Sequence, residues 1–402
     1  MKIRGWAILI LALILAGTLF RVQWLVGLGI ATGGVLGIAH LWRVRVLQNI
    51  VYRRSLIYTR GFPGETLPLR LSIENQKRLP VTWLRIRDSW PLNLAPEERD
   101  SLAPSHVPGR GYLTNIYHLW GYRRVVRDFR LRLGGRGVYS LGPVTLESGD
   151  PFGLGECHEE IEMPATVTVF PQLVPRSHLE LFSEDPYGER GTRKRLFEDP
   201  NLTIGVRPYT PEDTFRQIHW PATARTGQLQ TRVYQPISAQ VMMLCVNVAT
   251  SEHPWLGTLP EVLEHLIRVA ASFCYYGIED GYAVGLAVNG GLTSADQLMQ
   301  IQPGRTMDHL AILLQALAGV TPLITHPFER FLVHTASHVA MGATLVILTA
   351  VINPSLIEAI TLIKRYRHHL VLVALSEAPP PSLAGVKTIH YPLSSEVKGK
   401  KE

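Results

Sequence analysis

The sequence has 402 residues, a formal net charge of +7, 46% hydrophobic residues and 18% charged residues. That apolar content excludes an intrinsically disordered chain, and the length exceeds what one ordinary core holds, so two folded units are predicted beyond any membrane segment. Cys157, Cys245 and Cys274 are scattered, with no Cys-x-x-Cys pair; this excludes a disulfide framework and a clustered metal site, and fits reduced thiols in a cytosolic body.

An uncharged apolar segment runs from Trp6 to Phe20, and a second follows Arg21-Val22-Gln23 from Trp24 to Trp42. Each is near the length that crosses a bilayer, the first somewhat short. Residues 1–49 are therefore read as a transmembrane hairpin with helices at 6–20 and 24–42. The basic start at Lys2 and Arg4 and the small pair Ala16-Gly17 leave a cleaved signal peptide as the alternative for the first segment. The second would then stop transfer, and the body would stay on the same side. Lys2 and Arg4 precede the pair, Arg43, Arg45, Arg53 and Arg54 follow it, and Arg21 alone sits in the turn. The positive-inside rule then predicts a multi-pass protein of the inner membrane with both ends and the soluble domains in the cytoplasm. Gly29, Gly33 and Gly37 recur every four residues, opening one helix face to close approach, with Ala12 and Ala16 as its expected counterpart. Gly27-Leu28-Gly29 is no dinucleotide fingerprint, because no strand precedes it and Thr32 stands where the third glycine belongs.

Residues 50–180 alternate. Leu67, Leu69, Leu71 and Ile73 share one side, with Pro68, Arg70 and Ser72 on the other, and Trp83–Arg87, Phe129–Leu133 and Ala165–Phe170 repeat the pattern. Turn material at Phe62-Pro63-Gly64, Gly134–Gly137 and Gly149-Asp150-Pro151 separates these runs, which predicts a small β-sandwich-like domain. Arg85, Arg87, Arg130 and Arg132 face outward as a solvated strand face, with a phosphate, lipid or nucleic-acid surface as the alternative.

Residues 181–239, including the charged stretch Arg190–Lys194, read as a linker carrying a distinctive segment, and residues 240–392 as an α/β domain. Val241–Val248 is apolar until its end, as a strand buried on both faces must be. A helix at Pro260–Tyr276, a strand at Tyr282–Val288, helices at Met307–Ala318 and Pro327–Ala340, a strand at Thr344–Leu348, a helix at Ser355–Arg367 and a strand at His369–Ala374 follow. This alternation predicts a Rossmann-like parallel sheet with helices on both faces. Residues 393–402 form a basic tail.

The segment Gly205–Arg225 contains an Arg-x-Tyr (Arg207, Tyr209), a Pro-x-Asp (Pro211, Asp213), an Arg-x-Ile-x-Trp (Arg216, Ile218, Trp220) and an Ala-Arg (Ala224, Arg225). Arg232 and Tyr234 fit the strand that comes next. Upstream stand Arg136-Gly137-Val138-Tyr139, Leu141-Gly142-Pro143 and Asp150-Pro151-Phe152-Gly153-Leu154. In this order the motifs resemble the domain of unknown function 58 family, bacterial membrane-anchored proteins with a von Willebrand factor A-like domain. The resemblance implies that fold for residues 240–392 and a partnership with MoxR-type AAA+ ATPases, with transglutaminase-like membrane proteins as neighbours and a cell-envelope role.

Two readings of the segment stand side by side. Asp213, Arg216 and Arg225 with Tyr209 and Trp220 are suited to a polar lock against the sheet, and the same Arg, Tyr and Trp side chains are suited to anchoring a partner. His219, flanked by apolar residues, reads as a satisfied core histidine. The resemblance also implies where a magnesium site would lie, at an Asp-x-Ser-x-Ser after the first strand of the domain. Here those positions are Asn247, Ala249 and Ser251. The charge that a hard cation needs is missing, so no metal and no cofactor is expected. His334 and His338 have chelating spacing but lack an acidic third ligand, and His368-His369 is uninformative.

There is no Gly-x-Ser-x-Gly elbow, no phosphate loop and no Cys/His pair at catalytic spacing, so the chain is not expected to be an enzyme. The expectation is a membrane-anchored scaffold or adaptor with a protein-interaction domain. The alternative is a nucleic-acid or anionic-lipid binder using the excess Arg; nucleic acid is the less expected ligand, because membrane orientation accounts for the Arg clusters and no nucleic-acid-binding motif accompanies them.

Overall fold

The structure, a computed structural model, describes residues 3–97, 102–179, 198–210, 218–236, 241–251, 258–292, 299–366 and 368–392. It divides into two compact units, Met1–Phe170 and Pro171–Glu402.

The first unit begins with two helices, α1 (Ile3–Leu19) and α2 (Gln23–Val46). Bonds from Phe20 N to Ala16 O (2.9 Å) and Val22 N to Gly17 O (2.8 Å), with Arg21 at a φ of 54°, close the turn between them. At 1.5 Å per residue α2 is about 36 Å long, enough for a hydrocarbon core of about 30 Å, whereas α1, at about 25 Å, falls short of it. Only 11% of the apolar stretch of α2 is buried. Trp24, Ile30 and Ile38 lie on its exposed surface, the opposite of what the core helix of a soluble protein shows. Against the glycine face stand Ile14 at Gly29 and Ile10 at Gly33, where the sequence pointed to Ala12 and Ala16. A methyl at Gly29 would lie 2.7 Å from an Ile14 carbon, so the glycine notch receives a large side chain instead of a second small surface.

Strands β1 (Ile50–Leu56), β3 (Thr66–Asn75) and β7 (Arg124–Arg132) form one antiparallel sheet in the order β1-β3-β7. A five-stranded sheet has the order β10-β9-β4-β6-β5, from β4 (Val81–Pro91), β5 (Leu102–Pro104), β6 (Arg110–Leu119), β9 (Val144–Gly149) and β10 (Glu156–Ile161). A third joins β2 (Arg60–Gly61), β8 (Gly137–Leu141) and β11 (Ala165–Val169). The alternation in the sequence places Leu67, Leu69, Leu71 and Ile73 of β3 in a common core with Leu84 and Ile86 of β4, Leu131 of β7, Leu146 of β9 and Val167 of β11. Each such side chain contributes about 1.5–3 kcal/mol on burial, so this shared interior holds the three sheets together. On the outer face, Arg85 and Arg87 both reach Glu147 across the β4–β9 pair, at 3.2 and 2.6 Å.

A charged pair points inward. Arg54 Nη1 lies 3.3 Å from Asp88 Oδ1, with side chains 2% and 1% exposed, and Tyr52 donates its hydroxyl to Asp88 Oδ2 at 2.9 Å. Arg54 also donates to the Met163 carbonyl. Burial pushes the Asp88 carboxyl above its ordinary range, while Arg54 and the Tyr52 hydrogen bond pull it down.

In the second unit, a two-stranded antiparallel ribbon pairs β12 (Glu198–Pro208) with β13 (Gln230–Pro236), and the short helix α3 (Trp220–Thr226) lies between them in sequence. The main sheet has six strands: β14 (Val241–Val246), β15 (Ala283–Val288), β17 (Met299–Gly304), β19 (Thr344–Thr349), β20 (His369–Ser376) and β21 (Lys387–Pro392). Their order is β17-β15-β14-β19-β20-β21, parallel throughout except for β17, which runs antiparallel along β15. A small antiparallel pair, β16 (Gly290–Leu292) with β18 (Val320–Ile324), adjoins it in sequence. Helices α4 (Pro260–Glu279), α5 (Met307–Ala318), α6 (Phe328–His338) and α7 (Pro354–Ile363) supply the crossovers. Every residue of β19 is buried, as a strand covered on both faces requires. The segment entering this unit is pinned to α4: Ser272 Oγ accepts from Val174 N at 2.7 Å, Tyr276 donates to Val174 O at 3.2 Å, and Arg176 grips Asp280 at 2.8 Å.

Candidate functional site

In a parallel sheet, the place where chemistry collects is the crevice at the C-terminal strand ends, where the strand order turns back. Here that point is the end of β14, because the chain runs outward on one side to β15 and later on the other to β19. Asn247 follows β14, Asn289 follows β15, and Thr349 ends β19. Parallel register carries all three to the same edge.

These side chains bond to one another. Asn247 Nδ2 donates to Thr349 Oγ1 at 3.1 Å, and Asn289 Nδ2 donates to Asn247 Oδ1 at 3.1 Å. Ala249 N also donates to Asn247 Oδ1 (3.1 Å), and Val248 N to Asn289 Oδ1 (2.8 Å). Asn289 reaches the His326 carbonyl, and Thr349 donates to Val351 O at 2.7 Å while accepting from Val351 N. Asn247, Asn289 and Thr349 are 5%, 1% and 0% exposed. Both lone-pair directions of the Asn247 carbonyl are therefore taken by N–H donors. Such a network fixes the strand ends rigidly, and it offers no anionic oxygen to a hard cation. Ala249 and Ser251 are half-buried on the loop that follows, and Thr250 Oγ1 accepts from Leu259 N at 2.6 Å. The sequence singled out Asn247 but missed Asn289; the signal available was an Asn directly after the second strand of a parallel sheet.

The distinctive segment divides into an inward and an outward half. Ile218 is 3% exposed and bridges to Thr231 of β13. His219 is the N-cap of α3, its Nδ1 accepting from Ala222 N at 3.0 Å while its own N–H donates to Gln230 O at 2.8 Å. That bond leaves the proton of a neutral ring on Nε2 and gives His219 a structural task. Thr223 Oγ1 accepts from Gln230 N at 3.0 Å. Among the described residues, Ile218, His219 and Thr223 thus fasten α3 to β13; the sequence pointed to Tyr209, Asp213, Arg216, Trp220 and Arg225 for a lock against the sheet. Asp213 and Arg216 lie outside the described residues. Tyr209 is half-buried and contributes through its backbone, N–H to Leu229 O at 2.9 Å. Arg207 donates to Pro208 O at 3.2 Å, and Arg232 is half-buried on β13 opposite Val206.

Trp220 is 64% exposed, and Pro221, Ala224 and Arg225 are exposed with it. At about 100° per residue these four positions span one arc of α3 about 140° wide, while Ala222 and Thr223 turn toward β13. A Trp held outward on a capped helix is a large, low-entropy contact surface, and Arg225 places a cation beside it.

Two buried thiols and one histidine pair are the other candidates among the described residues. Burial pushes the thiols of Cys245 and Cys274 up to about 12, so neither is a thiolate at neutral pH. The rings of His334 and His338 lie 4.3 Å apart between centroids, tilted by 46°, and His338 Nδ1 bonds to the His334 carbonyl at 2.8 Å. Among the described residues no group of three His, Cys, Asp or Glu side chains is placed to hold a metal.

Residues 205–390 match the family model described as protein of unknown function DUF58. The uncharacterized protein YeaD of Bacillus subtilis is 24% identical over 287 residues, covering 71% of this chain and 66% of that protein. The chain thus spans just under two thirds of that relative's length. Solved structures align over 30% of the chain at low similarity. They include the CARDB domain of the PF1109 protein from Pyrococcus furiosus (11% identity, 91% of that chain, TM-score 0.20) and a cohesin module from Clostridium perfringens (14%, 96%, 0.21). The match over residues 205–390 takes in the segment from Arg207 to Arg232, and with the Bacillus relative it fits the DUF58 family over that part of the chain.

Proposed function

We propose that the chain is a membrane-tethered, non-enzymatic adaptor whose α/β domain offers a protein-binding face to a MoxR-type AAA+ ATPase, in complex assembly or a cell-envelope process. The observation that carries this reading is the exposed Trp220–Arg225 arc on a helix fastened to β13, in a unit whose main sheet edge has its polar groups bonded to one another. A strand order with β14 central and one antiparallel edge strand supports a von Willebrand A-like domain. The saturated Asn247 carbonyl argues that such a domain works here without its metal. The identity of the ATPase and a transglutaminase-like neighbour rest on family resemblance alone. The anchor in this reading is the α1–α2 pair crossing the inner membrane twice, with Arg43 and Arg45 at the end of α2 holding the body in the cytoplasm. The Arg-rich alternative is weakened because Glu147 already engages Arg85 and Arg87, and Asp128 engages Arg70 at 2.7 Å.

The test is co-purification of the full chain, solubilised in detergent from its native cells, against a Trp220→Ala/Arg225→Ala variant. Both side chains are exposed, so the variant is expected to unfold at an unchanged temperature while losing the AAA+ ATPase that the intact chain recovers. Equal recovery by the variant would remove this face from the account. Absence of the ATPase from both would remove the partner.

A further inference from the structure

Strand register gathers several loops at one end of the first unit. In the five-stranded sheet Val81, the start of β4, lies opposite Leu119, the end of β6, and Leu84 lies opposite Ser148 near the end of β9. In the β1-β3-β7 sheet Ile50 lies opposite Asn75, and Glu74 opposite Arg124. The β3–β4 loop, the β6–β7 turn, the β9–β10 loop and the α2–β1 junction therefore emerge together.

The end of α2 is fastened among them. Lys77 Nζ donates to Val46 O at 2.7 Å and Gln48 O at 2.5 Å, capping the helix C-terminus, and Gln76 N donates to Asn49 O at 3.0 Å. Arg43 packs so closely on Gly155 that a side chain there would meet its guanidinium at 2.3 Å.

This end exposes a group of apolar and basic side chains, with Gln48, Asn49, Gln76 and Glu156 also exposed near them. Trp120 and Tyr122 on the β6–β7 turn are 74% and 68% exposed, and Phe152 and Leu154 on the β9–β10 loop are 50% and 47% exposed. Arg45, Arg78 and Arg123 are exposed around them. The backbone holds these side chains out. Asp150 Oδ1 accepts from Phe152 N (2.9 Å) and Leu154 N (3.1 Å), with Gly153 at a φ of 71°. Asn75 Nδ2 donates to Trp120 O (3.2 Å), Tyr122 N to Lys77 O (3.2 Å), and a side chain at Gly121 would strike Arg78 O at 2.5 Å. Aromatic and aliphatic tips fixed outward beside the end of an apolar helix, among arginines, match the layered chemistry of a bilayer interface.

We infer that this end of the β-rich unit is a membrane-contacting collar. Trp120, Tyr122, Phe152 and Leu154 enter the headgroup layer, and Arg78 and Arg123 pair with lipid phosphates. The Asp-Pro-Phe-Gly-Leu motif thereby acquires a task, as the turn that presents Phe152 and Leu154 to lipid. The inference rests on α2 spanning the membrane.

The experiment uses the full chain in vesicles of equal parts phosphatidylcholine and phosphatidylglycerol, with Cys157→Ser and single cysteines carrying an environment-sensitive fluorophore. Labels at Trp120→Cys and Phe152→Cys report the collar, and Tyr122→Cys and Leu154→Cys replace them if either fails to fold. A label at Ile57→Cys, about 20 Å away at the other end of β1, is the outside control. Ile30→Cys on α2 reports the span. Vesicle binding is expected to blue-shift the collar labels, and lipid carrying a nitroxide near its headgroup to quench them, with position 57 unaffected, while a deep nitroxide quenches position 30. Collar labels that behave like position 57 while position 30 is quenched would overturn the collar alone. If position 30 is also unquenched, the spanning reading fails and the collar with it.

Discussion

Asp88→Ala is expected to lower the unfolding free energy of the β-rich unit by about 3–5 kcal/mol, because it strands the Arg54 guanidinium without its buried counter-charge. Arg54 is 2% exposed on its side chain, so water cannot replace the lost carboxylate without opening the core between β1 and β4. The double replacement Arg54→Leu/Asp88→Leu is expected to recover most of the loss, since two charges leave the interior together. A urea titration of the full chain in detergent, read by tryptophan fluorescence at the fully buried Trp90, compares the three proteins. A double variant as unstable as Asp88→Ala would show that the pair stabilises the fold in its own right. The pH dependence has a definite sign. Burial raises the folded-state pKa of Asp88, so the folded state holds the proton more tightly than the unfolded chain. That contribution to stability is full below the unfolded-state pKa and is lost as pH rises through the folded-state value. Asp88→Asn is expected to flatten this slope.

Asn247→Ala is expected to cost about 3 kcal/mol in the α/β unit, since each stranded buried polar group costs about 1–3 kcal/mol. The groups left short of a partner are Ala249 N–H and one N–H of Asn289 Nδ2, whereas Thr349 Oγ1 keeps its bonds to Val351. Thermal unfolding checks it, and magnesium is expected to leave the melting temperature of the unsubstituted chain unchanged. A magnesium-dependent rise would contradict the view that hydrogen bonds hold this edge in place of a cation.

The fold was most legible where burial is two-sided or strictly alternating. Val241–Val246 and Thr344–Thr349 are apolar because helices cover both faces, and no other element accommodates such short runs. The Leu67-to-Ile73 alternation was equally direct, because a one-residue slip would have put four aliphatic side chains in water. The candidate site was half legible. Asn247 stood out as a neutral residue at the end of the first strand, but its bond to Asn289 joins positions 42 residues apart and appears only once β14 and β15 lie side by side. Among the described residues, spacing did not point to the bonds that hold α3 to β13. Charge and aromatic content drew attention to Trp220 and Arg225, whereas backbone donors chose His219 and Thr223, whose short side chains reach the helix start and the adjoining strand. Likewise, the Arg85/Arg87 stripe looked free in sequence because its partner Glu147 lies on a strand 60 residues away from Arg87.

The central claim, that the Trp220–Arg225 arc is a docking surface for an AAA+ ATPase, is tested most directly by a binding isotherm. The purified full chain in lipid nanodiscs is titrated with the purified MoxR-type ATPase at low and at high salt. The account predicts saturable binding that survives high salt, because an apolar anchor carries it, and that Trp220→Ala weakens by about tenfold or more. Binding that Trp220→Ala leaves unchanged, or that vanishes at high salt, would contradict it.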